Sequence, residues 1–284
     1  MKTLSSLLRS LARALALVLL VMIGSTLLVR RAPGYLSDAR EMDARYGSTV
    51  RAELAHESAR SSLPQMLARE AKGWLHGDAG VSRQFGVPVR ELIQPRLAVT
   101  GALLLRSLLL GWALAITAAL AASTRRRSGV VWQAPASLLL AIPTAAMATL
   151  CLLAGSGGPV LVMALLIAAR DFKFLCRILR QAWLEPHLLQ ARAQGIRMRR
   201  LLAVQVAPAI AAQLAALAGL SLVTALSALV PVEVLFDVPG LGQLAWNAAM
   251  NRDLPVLLAV TLLMALAVTS SGMLGGQPGE WERA

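Results

Sequence analysis

The sequence predicts an all-α, polytopic membrane protein: six transmembrane helices, with a helical extracytoplasmic segment between the first two. Three observations carry this expectation. Of 284 residues, 57% are hydrophobic and only 15% are charged, where a soluble domain carries about 25% charged residues. The apolar residues gather in blocks of roughly twenty, the length a helix needs to cross a hydrocarbon core about 30 Å thick. The basic residues collect at the edges of those blocks. Arg125, Arg126 and Arg127 form one cluster, and eight Lys/Arg against two Asp/Glu lie between Arg170 and Arg200. Basic flanks of this kind stay on the cytoplasmic side.

The same distribution removes other classes. A net charge of +13 is compatible with nucleic acid, but few aromatic residues stand between the basic ones to stack bases. Positive-inside topology and anionic lipid headgroups account for the charge, so membrane lipid is expected as a partner and nucleic acid is not. The two cysteines, Cys151 and Cys176, fall in an apolar span and on a basic helix, which does not suggest a disulfide framework. The histidines, His56, His76 and His187, have no zinc-ligand spacing, so neither a metal site nor a cofactor is expected. No span holds a histidine and no H-E-x-x-H occurs, which disfavours an intramembrane hydrolase.

The elements follow in order. Lys2, Arg9 and Arg13 precede an apolar run from Ala14 to Val29, with no small-x-small cleavage site after it. Residues 1–29 therefore read as a cytoplasmic amino terminus and an uncleaved first span. Residues 30–96 are polar, with eleven basic and eight acidic residues, and form the extracytoplasmic segment; Asp38 to Ser61 reads as helical. Glycines and Pro88 then mark turns before a short amphipathic element, Arg90 to Ile93. The remaining core is 97–284, with spans at about 97–122, 130–154, 159–180, 208–230 and 254–273, and a cytoplasmic segment at 185–207. The second span contains Arg106, a charge that costs a few kcal/mol at bilayer depth unless paired or hydrated. Either it faces a translocation path or a partner subunit, or it snorkels to the outer interface. The third span holds Pro135 and Pro143, and Gly155 to Pro159 turns the chain. The fourth is cleanly apolar only from Val160 to Ala169, so its helix must continue through Arg170, Asp171 and Lys173 with those charges facing protein or water. On the fifth, Gln213, Ser221, Thr224 and Ser227 share one side at 100° per residue. That stripe is either a lining for a hydrophilic solute or ordinary helix packing through small hydroxyl residues. Between the fifth and sixth spans, Leu241 to Asn251 suits a short amphipathic helix. Both termini are expected in the cytoplasm.

Three stretches resemble one family. Between Glu185 and Pro208, Ala191-Arg192-Ala193 with Gly195, and Pro208 thirteen residues after that glycine, resemble the coupling loop of binding-protein-dependent ABC importer permeases. Leu189-Gln190-Ala191 stands where that family has Glu-Ala-Ala, and Gln205-Val206-Ala207-Pro208 where it has Ile-x-Leu-Pro. Before the second span, Gly77, Asp78, Gly80, Ser82, Pro88, Val89, Ile93, Arg96 and Thr100 resemble the Gly-Asp-x-Gly-x-Ser series of its peptide- and nickel-type members. The third match is Glu233, Phe236, Pro239, Gly240, Leu241, Gly242, Ala248, Arg252, Asp253 and Pro255.

The resemblance implies a permease subunit of the dipeptide/oligopeptide/nickel type in the bacterial inner membrane. Such a subunit is not itself an enzyme. It forms half of a path with a second permease, is driven by separate ABC ATPase subunits, and receives solute from an extracytoplasmic binding protein. It implies that Ala191, Arg192, Ala193, Gly195 and Pro208 belong to the ATPase-coupling loop, and that the fifth span lines the path. The external segments make Gly77, Asp78, Gly80, Glu233, Phe236, Pro239, Gly240, Gly242, Arg252 and Asp253 candidates for docking or gating. The changed Glu-Ala-Ala leaves a non-transporting scaffold, or an exporter subunit, as the alternative.

Overall fold

The computed structural model describes residues 79–124, 129–155, 157–183, 198–251 and 253–274, with a few isolated positions besides. Most of the expected first span, most of the segment expected to be extracytoplasmic and most of 184–197 lie outside the described residues. Apart from an isolated bridge between Val81 and Pro88, the regular structure among them is helical.

Helix α1, Val89–Thr124, is 36 residues long, about 54 Å at 1.5 Å per residue. The short element expected at Arg90 to Ile93 is not separate: it is the first turn of this helix. Pro95 lies inside it and lacks the N–H that would bond the Glu91 carbonyl, yet the helix continues. The stretch expected as the third span is not one straight rod. Helices α2, Gly129–Ala141, and α3, Thr144–Leu153, meet at 95°. Pro143 sits at the break with φ −56° and ψ 139°, an extended conformation; a proline also pushes its predecessor, Ile142, out of the α region.

Helix α4, Pro159–Trp183, runs unbroken through the charged stretch 170–176. Asp171 is buried, with Arg170 and Lys173 partly so. A short helix α5, Met198–Leu201, passes into a π-helical turn, Leu202–Val206, and an α turn, Ala207–Ala209. The Ala207 N–H bonds the Leu202 carbonyl, and Ile210, at φ −100°, separates this stretch from helix α6, Ala211–Leu235. Helix α6 extends past the expected end at Val230 and includes Pro231. Helices α7, Leu241–Met250, and α8, Leu254–Leu274, complete the chain. Helices α1, α6 and α8 are each long and apolar enough to cross a membrane, and α2 with α3 adds a fourth if the bent pair is one span.

The chain divides into two compact units. One joins Met1–Ala98 to Pro239–Ala267; its core sets Val89 against Leu241, Leu244, Ala248, Val256, Ala259 and Val260. The other joins Val99–Val238 to Val268–Ala284, with α4 packed on α2, α3 and α6. Its core includes Ala115, Ala119, Phe172, Leu175, Leu201, Val206 and Leu217. Large apolar side chains also face outward: Leu138, Leu109 and Leu153 are 70%, 64% and 79% exposed. An outer surface of leucine suits a lipid surround.

Candidate functional site

In the first unit the loop before α1 is tied to the start of α8. Gly80 and Gly86 adopt positive φ, 81° and 68°, which lets residues 80–88 turn back on themselves. The Ser82 N–H bonds Val87 O at 2.9 Å, and the Val89 N–H bonds Gly80 O at 3.0 Å. The Asp253 carboxylate is the anchor. It accepts from the Ser82 hydroxyl and from the backbone N–H groups of Arg83 and Gln84, both at 3.2 Å. Ser82 Oγ in turn accepts from the Phe85 N–H at 3.0 Å. Both Ser82 and Asp253 are 1% exposed. Two segments that sequence matching treated separately, the Gly-x-Ser stretch and the Asp-x-Pro corner, are thus one hydrogen-bonded body.

In the second unit Thr100 Oγ1, on α1, donates to Glu233 Oε1, on α6, at 2.7 Å, and both residues are buried. Just beyond Glu233, α6 ends in a paired turn. The Val238 N–H bonds Glu233 O at 2.9 Å and the Asp237 N–H bonds Val234 O at 3.4 Å, with Asp237 at φ 50°. This is the Schellman arrangement, in which a left-handed residue closes the helix; here that residue is an aspartate where glycine is usual. Phe236 is half-buried and Pro239 exposed.

Of the residues expected to serve in external docking or gating, several lie in the interior of their unit. Glu233, Gly240, Gly242 and Asp253 are buried. The two carboxylates point inward because each meets a hydroxyl from another segment of its own unit, and an unpaired buried charge would be costly. Gly80 is half-buried, while Gly77, Asp78 and Arg252 lie outside the described residues.

The expected path residues part company. Ser221 is fully buried. Its hydroxyl donates to Asp171 Oδ2 at 2.6 Å, approaches Leu217 O at 2.7 Å, and accepts from Trp112 Nε1 at 3.1 Å. Beside it Arg170 Nη1 donates to Leu220 O at 3.1 Å. Thr224 and Ser227 bond carbonyls of their own helix, Leu220 and Val223, both at 2.9 Å. Gln213 and Thr224 are half-buried and Ser227 exposed. Arg106 is exposed, between the exposed Leu105 and Leu109. Sequence reasoning did not single out Asp171 as the partner of Ser221. A charge within an incompletely apolar span, opposite a hydroxyl stripe, was the available signal.

Of the residues expected in a coupling loop, Pro208 is exposed in the turn before α6; Ala191, Arg192, Ala193 and Gly195 lie outside the described residues. Cys151 and Cys176 are free thiols. Among the described residues no group of three or more His, Cys, Asp or Glu is placed to hold a metal.

Membrane-length apolar helices, a leucine-rich exterior and hydrogen bonds made between helices define a helical integral membrane protein. The sequence profile of the family described as "Binding-protein-dependent transport system inner membrane component" matches residues 108–275. This is more than half of the chain, and the chain belongs to that family: it is a multi-pass inner-membrane permease of the binding-protein-dependent ABC class. It is similar to the "Metal-staphylopine import system permease protein CntB" of Staphylococcus aureus, with 31% identity over 114 residues. That match spans 38% of this chain and about a third, 34%, of the relative.

Proposed function

We propose that this permease forms half the translocation path of an ATP-driven importer for a small solute. The path is completed by a second permease subunit, a copy of this chain or a related one. Separate ATPase subunits supply the energy, and an extracytoplasmic binding protein delivers the cargo. Helices α1, α2 with α3, α4, α6 and α8 serve as spans two to six. The amino and carboxyl termini and residues 185–207 are cytoplasmic, and residues 30–96 lie outside.

One observation carries the reading: Ala191-Arg192-Ala193-x-Gly195, thirteen residues before Pro208, in a basic segment inside the region that matches the family. Small residues allow a helix to seat closely in a groove of the ATPase. A docked helix then moves as one body and carries closure of the ATPases into the spans. The cargo proposed is peptide-like or a related chelate, the latter suggested by the metal-staphylopine import named for the relative. The exposed Arg106 and Ser227, with Gln213 and Thr224, are the candidate path residues. The loop 81–87 with Pro239 remains the candidate surface for the binding protein. Substitution of Glu-Ala-Ala by Leu189-Gln190-Ala191 is the observation that favours a second reading, a scaffold without transport.

Co-purification with the ATPase subunit, comparing wild type with Gly195→Trp, tests the proposal. Wild type is expected to retain the ATPase and stimulate its activity; the variant is expected to fold but lose stimulation. A wild-type chain that binds no ATPase, with Gly195→Trp changing nothing, refutes the importer reading.

A further inference from the structure

Three helices of the second unit converge on one buried hydroxyl. Trp112 of α1, Asp171 of α4 and Ser221 of α6 are joined through Ser221 Oγ. A serine hydroxyl carries a single proton, so it cannot donate at once to Asp171 Oδ2 at 2.6 Å and to Leu217 O at 2.7 Å. It has two alternative acceptors, one across the helix interface and one on its own helix. Asp171 is unevenly served: Oδ2 is bonded, while Oδ1 is buried with no hydrogen-bond partner among the described residues.

These facts describe a contact that can open without orphaning a donor. If α4 and α6 part, the Ser221 proton falls back on Leu217 O and no donor is orphaned. The carboxylate loses one bond but exposes an oxygen that had none to water, and hydration of that oxygen offsets part of the loss. The position also fits a mechanical role. Asp171 sits on α4, which ends at Trp183, directly before the basic segment at 185–207, and Ser221 sits on the polar side of α6. We propose that Asp171 is a positioning residue: with Ser221 it forms a releasable latch that holds α4 against α6 and sets the balance between the packed and the parted arrangements. Its use in transport rests on the importer reading given above; the latch itself does not.

Cys176, five residues beyond Asp171 and packed against the same core, supplies a reporter. The experiment uses the full chain in inverted membrane vesicles from its host, in a Cys151→Ser background, and measures the rate at which N-ethylmaleimide labels Cys176. Asp171→Ala and Ser221→Ala are each expected to raise that rate roughly tenfold, the lower end of what a bond to a charged group implies. The double variant is expected to match the single ones, because they remove one contact. Asp171→Asn, which keeps an acceptor for Ser221, is expected to stay near wild type. Wild-type rates in Ser221→Ala, or additive increases in the double variant, overturn the latch. If Asp171→Ala does not accumulate, Ser221→Ala and Asp171→Asn still decide it. Mg-ATP tests the importer reading separately. If it leaves wild-type labelling unchanged while the variants raise it, the latch stands and the importer reading fails. If it raises wild-type labelling while Ser221→Ala matches wild type throughout, the reverse holds.

Discussion

Two glycines on α1 make opposite predictions from one backbone. A Cβ built at Gly111 would lie 2.9 Å from both Cβ and Cγ2 of Ile167 and 3.0 Å from the carbonyl oxygen of Ala164. Non-bonded carbons settle at about 3.5–4.0 Å, so α1 and α4 must separate locally by about 0.5–1 Å to admit a methyl group. The opposing atoms are backbone and the branch point of a β-branched residue, neither of which swings away. Overpacking of this kind costs about 1–3 kcal/mol, against about 1 kcal/mol gained from replacing glycine inside a helix. Gly111→Ala should therefore destabilise by about 1 kcal/mol. At Gly101, ten residues earlier on the same helix, a Cβ meets nothing within 4 Å, so Gly101→Ala collects the helix gain alone, about 0.5–1 kcal/mol. The two variants should differ by about 2 kcal/mol, or on the order of 5 °C in Tm, measured on the detergent-solubilised protein by loss of the monodisperse chromatographic peak on heating. Equal melting of the two, or a Gly111→Ala that melts above wild type, would refute the close approach of α1 to α4.

Three further substitutions probe the polar contacts. Asp253→Ala frees the Ser82 hydroxyl and two backbone N–H groups, a loss of about 3 kcal/mol of local stability. Tryptic cleavage after Arg83 should accelerate roughly a hundredfold; cleavage at the wild-type rate would show that the loop is held otherwise. Thr100→Val keeps shape but removes the donor to Glu233, and should lower stability by about 1.5–3 kcal/mol, whereas Thr100→Ser should recover most of it. Asp237→Gly should raise the melting temperature, since a non-glycine residue in the left-handed region costs about 1 kcal/mol. Asp237→Val should lower it, and the opposite order would argue against the turn that closes α6.

Much of the helical plan was legible because apolar block length and charge position are strong, local signals. The ends of α4 and α8 lie within a few residues of expectation, and α7 occupies the stretch that Gly and Pro punctuation marked. What was not legible depends on where neighbours sit. Pro95, Pro135, Pro143 and Pro231 look alike in sequence, yet three are carried inside helices and only Pro143 turns the chain through 95°. The motif residues were likewise recognisable, but their direction was not. Glu233 and Asp253 carry charge and flank spans, the pattern of a surface, and only their partners Thr100 and Ser82, more than a hundred residues away, turn them inward. Gly111 gave no local sign that it marks a close helix approach, and Asp171, though a charge in an incompletely apolar span, did not say which hydroxyl it meets.

The wide turn at Leu202–Val206 bears on how this chain tolerates changes in length. In an α-helix each residue advances the azimuth by 100°, so a lost residue would rotate the segment before it by more than a quarter turn against α6. A π-helical turn holds one residue more than the α-helix it interrupts while leaving both flanks in phase. A single deletion within it can therefore revert the stretch to ordinary helix with the basic segment upstream still facing as before. The turn acts as an expansion joint in the primary structure, at the point where a change of register would be transmitted directly to the basic segment before it.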